Sequence, residues 1–320
     1  MKLYRYAPLA LAFASSAHAA PLPDLKKIAA SVDGEYLSYS GSFGSRRIVN
    51  AQTRIDTGNT IVSLGLAHGS RKAGGDKFNA SRVSVAVAHD WSSRLSTRTA
   101  ASIASNEPVF VTRELIQDIS YKPLSQTVLT VGGRYARYWG GVDAVSWSLG
   151  AAQYFRGGMI SYRFSSFDVH HLGHSVGHLV NLKVQDPYGT NQLWLGHGTA
   201  LHDALWLPVP EKGKYSNIEY RRIQPIGGGV GLMVGVNRIW YEADSAKFHG
   251  TGVRVGFTFD HEPGRDRADC HQGLGDRLPG PPLPGREGLG VGARSAWKAG
   301  RSFAYGTTRW TKIPWVCFRR

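Results

Sequence analysis

A chain of 320 residues can bury a large core. Its 39 glycines, 11 % aromatic content and lack of any helix-period pattern point to β-structure rather than to a helical membrane protein. Two cysteines, Cys270 and Cys317, are too few to staple a domain of this size, so a disulfide scaffold is excluded. The net charge of +15 is spread along the chain without a dominant basic stripe, so nucleic acid is not expected as a partner.

Residues 1–20 read as an export signal. Lys2 and Arg5 give a positive start, Ala7 to Ala14 an apolar run, and Ala17-His18-Ala19 a small-x-small cleavage site. Residues 21–33 follow as a polar, periplasmic lead-in with Pro21, Pro23, Lys26 and Lys27 and no sheet signature. From there to Asp260 the chain reads as a succession of strands: Gly34–Gly44, Arg47–Asp56, Asn59–Gly69, Asn79–Trp91, Arg94–Ser105, Phe110–Tyr121, Gln126–Trp139, Val142–Phe155, Gly158–Asp168, His174–Gln185, Thr190–Gly198, Tyr215–Gln224, Gly229–Glu242 and Gly250–Asp260. Within them apolar and small or polar side chains alternate. Val145, Trp147 and Leu149 stand against Ala144, Ser146 and Ser148, and Ile160, Tyr162 and Phe164 against Ser161, Arg163 and Ser165.

Alternation of this kind fits a soluble sandwich turned apolar-inward or a membrane barrel turned apolar-outward. The connections decide between them. Tight turns at Thr57-Gly58-Asn59, Trp91-Ser92-Ser93, Lys122-Pro123-Leu124-Ser125, Phe155-Arg156-Gly157-Gly158, Asp186-Pro187-Tyr188-Gly189 and Pro225-Ile226-Gly227-Gly228 occupy every second connection. The alternate ones are mostly longer: Ser70–Lys77, Asn106–Val109, Val169–Gly173, Thr199–Lys214 and Ala243–His249. Short turns on one side and long loops on the other are the asymmetry of outer-membrane barrels. Trp91, Tyr121, Trp139, Phe155, Tyr188, Trp240, Tyr241 and Phe259 near strand ends fit aromatic girdles at the two membrane boundaries. The expected fold is therefore all-β, an antiparallel transmembrane β-barrel of about 12–14 strands over 34–260. A tail of different, Arg-, Gly- and Pro-rich composition follows at 261–320, expected to be disordered or read out of frame.

The run DISYKPLSQTVLTVGGRYARYWGGVDAVSWSLGAAQYFRGGMISYRF (118–164), with the closing GTGVRVGFTFD (250–260), resembles the outer-membrane β-barrel domain of the YaiO family. The G-R-Y-x-R-Y and Y-F-x-G-G motifs carry the resemblance together, over roughly Gly34 to Asp260. It implies a Gram-negative outer-membrane location, in a family whose members resemble ones found beside polysaccharide and glycosyltransferase functions. It implies no catalytic residue. Some relatives carry helical repeats before the barrel, for which the lead-in here has no room.

The small and polar face carries the functional candidates. By strand phase Arg82, Glu114, Asp118, Arg134, Arg163, Lys183, Arg254 and Asp260 face the interior, where charges of both signs should pair across a confined lumen. Two readings follow: ion pairs that stiffen a closed barrel, or a narrow lined path for an acidic or saccharide solute. Of His170, His171, His174 and His178, the last two would stand about 13 Å apart on one strand face turned to lipid; only His170, His171 and His174 could approach each other around a loop, and a plain polar loop rather than a metal site is expected there. The Gly227–Gly229 run lacks the helix and Lys-Ser/Thr of a phosphate loop, and no cofactor is expected. The alternative function is an outer-membrane enzyme acting on lipid or surface glycans through His89 or His178 and a neighbouring serine, although no nucleophile motif surrounds either. The expected partners are outer-membrane lipid, lipopolysaccharide and the barrel assembly machinery that reads a closing strand.

Overall fold

In the computed structural model, which describes residues 25–170, 172–199, 213–243 and 247–261, fourteen antiparallel strands close into one barrel. They are β1 Lys27–Tyr39, β2 Ser45–Asp56, β3 Thr60–Ala73, β4 Asp76–Asp90, β5 Leu95–Ala104, β6 Arg113–Leu124, β7 Thr127–Arg137, β8 Asp143–Phe155, β9 Gly158–Val169, β10 Gly173–Asp186, β11 Gly189–Thr199, β12 Lys214–Gly227, β13 Val230–Glu242 and β14 Lys247–His261. Each strand pairs with its sequence neighbours, and β14 returns to β1.

The two-residue period sorts the side chains. On β14, Val253, Val255, Phe257 and Phe259 stand exposed on the outside, as do Leu64 and Leu66 on β3, Val83, Val85 and Val87 on β4, and Val145, Trp147 and Leu149 on β8. Between them the inward positions are small, polar or charged: Ser146 and Ser148 on β8, Gly252, Arg254 and Gly256 on β14. A continuous apolar belt on the outside of a closed barrel is a lipid-facing surface. Among the described residues no helix is long and apolar enough to cross a membrane.

Closure is built on glycine. β14 pairs with β1 from Ile28↔His261 to Tyr39↔Gly250, and its inward positions Gly250, Gly252 and Gly256 leave room for the neighbouring strand. A Cβ on Gly256 would lie 2.4 Å from the Val32 carbonyl oxygen and 2.5 Å from the Asp33 Cβ. Above them Leu37, Tyr39, Tyr241 and Phe248 form a buried cluster that caps the seam from within. At the opposite end of β14, Gly229 takes a φ of +75° in the β12–β13 turn, where Gly227 and Gly228 also have positive φ. The three-glycine run is thus a turn, as its backbone demands.

Several boundaries differ from the sequence reading. The first strand begins at Lys27, so residues 27–33 of the expected lead-in belong to the wall, and β14 pairs with Ile28–Tyr39 rather than with Gly34–Gly44. The alternation there is real but weak in hydrophobicity, running through Ala29, Ala30 and Ser31 before Val32. The expected long loop Ser70–Lys77 is a hairpin whose ladder runs to Ala73↔Asp76 and turns at Gly74-Gly75. Its polar residues mark wall that stands clear of the apolar belt. Lys122, Pro123 and Leu124, read as turn, continue β6 across a register shift between Tyr121 and Leu124, which suits a proline that has no N–H to donate. Tyr241, read as a boundary aromatic, is buried inside and stacks on Phe248 at 5.1 Å, because its neighbour Trp240 already takes the outward position. The signal segment, Cys270, Cys317 and residues 262–320 lie outside the described residues.

A charge on the outer face should be far worse than one inside. Val255→Lys and Leu149→Arg are expected to lower unfolding stability in liposomes by about 2–4 kcal/mol if these positions lie near the midplane. Ser148→Lys, which enters the lumen, should cost less; a larger loss for it in denaturant titrations would mean that the faces are inverted. Chain length offers a second check. A chain stopped after His261 keeps every rung of the closing ladder and should show the heat-modifiable gel mobility of a folded barrel, whereas one stopped at Ala246 should not. Failure of the His261 chain where full length folds would give the remaining residues a part in folding.

Candidate functional site

The interior holds two ion-pair networks on opposed walls. The first is at the closing seam. Asp33 and Glu35 are two apart on β1 and therefore both point inward, opposite Arg254 of β14. The Arg254 guanidinium donates to Asp33 at 3.3 Å and to Glu35, and approaches Glu219 of β12 at 4.0 Å. Arg46 of β2 donates to Glu35 at 3.0 Å, Asn50 donates to Asp33 at 3.0 Å, and Arg221 donates to Glu219 at 2.8 Å while lying over the Trp194 ring at 4.8 Å. Glu35 and Asp33 are buried, and a buried carboxylate is tolerable only with such partners. Lower on the same seam Lys27 meets Asp260 at 3.1 Å.

The second network spans β5 to β9. Asp118 of β6 takes Arg98 of β5 at 3.5 Å and Arg163 of β9 at 3.1 Å. The Arg163 contact passes over two intervening strands, and small residues open its path: Gly132 faces Asp118, Ser148 faces Gly132, and Gly150 faces Arg163. A Cβ on Gly132 would fall 2.3 Å from Asp118 Oδ1. Glu114 accepts from Arg134 Nε at 2.7 Å, and the Arg134 guanidinium also reaches the Tyr138 hydroxyl at 3.5 Å.

Between these networks the inner face is basic. Arg54, Arg71, Arg82 and Lys183 project from β2, β3, β4 and β10, and on the inward positions of β2 to β4 carboxylates occur only at the strand ends, Asp56, Asp76 and Asp90. The 105–112 segment, where a strand beginning at Phe110 and an outer loop were expected, instead folds over the inner face. Val109 is buried, and Val109 and Phe110 reach the inward side of Gly69 on β3, whose Cβ would lie 2.9 and 3.0 Å from them. Phe110 also receives the Arg82 guanidinium at 5.0 Å.

Of the eight residues expected to line the interior, Asp118 pairs with Arg163 and Glu114 with Arg134 on one wall, while Arg254 anchors the seam network with Asp260 below it. Arg82 stacks on the inward loop, and Lys183 stands on the basic arc. Asp33, Glu35, Arg46, Arg98, Glu219 and Arg221 complete the networks and were missed. The strand phase that found Arg254 would have found Arg98 and Glu219; Asp33 was lost with the lead-in boundary. The histidines go elsewhere. His178 faces outward and shares a hydrogen bond with the Tyr162 hydroxyl at 2.8 Å, His89 shares one with Thr60 Oγ1 at 2.8 Å, and His174 lies 3.9 Å from Asp168 at an exposed rim. Outward Ser–His contacts occur instead at His68–Ser81, 3.0 Å, and His197–Ser216, 2.9 Å. Among the described residues neither has a carboxylate against the ring to complete a hydrolytic triad.

The family model of the YaiO membrane beta barrel domain matches residues 27–202, more than half of the chain. The chain belongs to this family. The match starts at the first residue of β1, so it too includes the segment first read as lead-in. Among solved structures this YaiO barrel is similar to the CymD monoaromatic hydrocarbon channel, with 5 % identity, a TM-score of 0.51, and 75 % of this chain and 90 % of that one covered. It is also similar to an anion-selective porin from Comamonas acidovorans (10 %, 0.42, 74 % and 100 %) and a bacterial polysaccharide outer membrane secretin (8 %, 0.47, 73 % and 98 %). The likeness to CymD shows a shared outer-membrane barrel fold.

Removing one member of a buried pair strands the others. Arg254→Ala should lower stability by on the order of 3 kcal/mol, measured by denaturant unfolding. Gly132→Val should likewise detach Asp118 from Arg163, and the two losses should add in the double variant because the networks stand on different walls. Strong non-additivity would mean that they are one network.

Proposed function

We propose that the barrel is a narrow, anion-preferring pathway through the outer membrane for acidic or saccharide-type solutes, with Phe110 and Arg82 at its constriction. The observation that carries this reading is the pair of inward cations Arg82 and Lys183, on strands whose inward carboxylates stand only at the ends of β4. The interior acids of the flanking walls are engaged in ion pairs, so a mobile anion would meet Arg82, stacked on Phe110 at the inner face, and Lys183. An unfilled interior supports it as well: Leu179 points inward beside Arg163 and Gly196, yet remains 39 % exposed. In this reading the chain is exported by its signal segment, both ends of the barrel lie in the periplasm, and the rim with the 105–112 segment faces outward.

A second reading rests on the two networks. They come from opposed walls and stiffen the barrel, so a closed, structural barrel linked to surface assembly is the alternative. Conductance in a planar bilayer separates the two. The pathway reading expects small unitary steps and a reversal potential, under a KCl gradient, of the sign for chloride preference. Arg82→Glu with Lys183→Glu should move that potential toward cation preference, and Gly69→Val, which displaces Val109 and Phe110, should enlarge the step. A silent wild type that becomes conductive only with Gly69→Val would favour the closed barrel.

A further inference from the structure

The outer surface of the closing seam carries a row of cations that the lumen does not use. Six consecutive strands place Arg238 (β13), Thr251 (β14), Ser38 (β1), Ser45 (β2), Lys72 (β3) and Lys77 (β4) in one register line. All six occupy outward positions, and every cation among them is exposed. At about 4.8 Å per strand the line extends roughly 24 Å around the wall. Arg47 stands two residues below Ser45 on β2, also outward.

The arginines are held in place by aromatic boundary residues. The Arg47 guanidinium lies 5.4 Å from the Tyr36 ring, and that of Arg238 lies 5.6 Å from the Trp240 ring while donating to Thr251 Oγ1 at 3.0 Å. Directly below begins the apolar belt, with Val236 and Val253 beside Tyr36, then Val234, Val255 and Val49. On the outward positions of these six strands the one carboxylate is Glu242, already bound by Lys247 at 2.8 Å. The opposite wall differs. There the rim cation Arg137 lies 3.8 Å from Asp143, and Asp168 stands nearby on β9.

We infer that this face is a binding site for a phosphorylated saccharide lipid of the outer leaflet, of the lipopolysaccharide type. Arginine forks match phosphate oxygens in pairs, lysines add charge, and the hydroxyls of Thr251, Ser38 and Ser45 suit sugar hydroxyls between two phosphates. Acyl chains would run down over the valine belt. A free phosphate would meet only solvated cations spread along a wall, which hold it weakly; the lipid tails supply the remainder. The inference needs the rim opposite Lys27 and His261 to face outward and does not depend on the lumen conducting.

The test uses full-length protein refolded in detergent, free of lipopolysaccharide and with a chelator present. Its thermal unfolding is followed as bis-phosphorylated lipid A, phosphate-stripped lipid A, phosphatidylglycerol or inorganic phosphate is added. Lipid A with both phosphates should raise the midpoint most, and inorganic phosphate should not move it. Arg47→Gln/Arg238→Gln should bind it about ten-fold more weakly, while Arg113→Gln/Arg137→Gln on the far wall keeps the affinity. If the seam variant lacks heat-modifiable mobility, Lys72→Gln/Lys77→Gln at the exposed rim replaces it, with a smaller but measurable loss expected. Equal stabilisation by phosphate-stripped lipid A or by phosphatidylglycerol, or equal affinity in the seam and far-wall variants, would overturn the site. Labelling of a Lys77→Cys variant on intact cells checks the orientation separately: accessibility supports the outer-leaflet assignment, and protection overturns it.

Discussion

Every backbone amide inside a bilayer must find its partner within the protein, and in a sheet only closure achieves this. Here the requirement falls on the β1–β14 ladder, which joins the two ends of the barrel. The composition of β14 follows from it. Inward glycines let β1 approach, outward Val253, Val255, Phe257 and Phe259 face lipid, and the one large inward side chain between Gly252 and Gly256 is Arg254. That arginine gathers Asp33 and Glu35 from the facing strand and Glu219 from two strands away. The seam is therefore joined twice, by main-chain rungs in the wall and by charge inside it. The second joint also selects register: a two-residue slip would keep the faces correct but would carry Arg254 away from its carboxylates.

The network of β5 to β9 shows the same coupling between wall and interior. A long reach from Arg163 to Asp118 requires a low floor, and Gly132, Ser148 and Gly150 provide it. Small residues on these strands are thus determined by the charges that pass over them, not by the backbone alone. Barrel strands free to place bulk inward would have filled the lumen with apolar side chains, as at Val128, Ala152 and Met159 near one end.

How much of this was legible in the sequence depended on hydrophobic contrast. Where lipid-facing residues are large, as at Val145, Trp147 and Leu149, phase and therefore interior charges could be read directly. Where both faces are small or polar the signal faded. Ile28 to Ser31 passed for a lead-in although they are paired on both sides, and Ser70 to Lys77 passed for a loop because rim strands need no apolar face. The 105–112 segment was beyond sequence reasoning for a different reason. Its position depends on Gly69, some forty residues away, offering space on the inner wall, and Phe110 looks like any strand aromatic until that space is known.

A fourteen-strand wall encloses more room than a small barrel whose interior side chains simply meet. What narrows this one comes from side chains rather than from the wall: Arg163 and Arg254 reach inward from opposed sides, and Val109 and Phe110 lie across the β3–β4 face. The two kinds of obstruction differ in cost of removal. The networks hold buried carboxylates, so they cannot open without leaving charges unpaired. The loop rests on β3 by apolar contact with Gly69 and by the Arg82–Phe110 stacking, an interaction worth about 0.5–2 kcal/mol in most settings. Any change of bore in this barrel is therefore easiest at the loop, and the charge that a passing solute would meet there is Arg82.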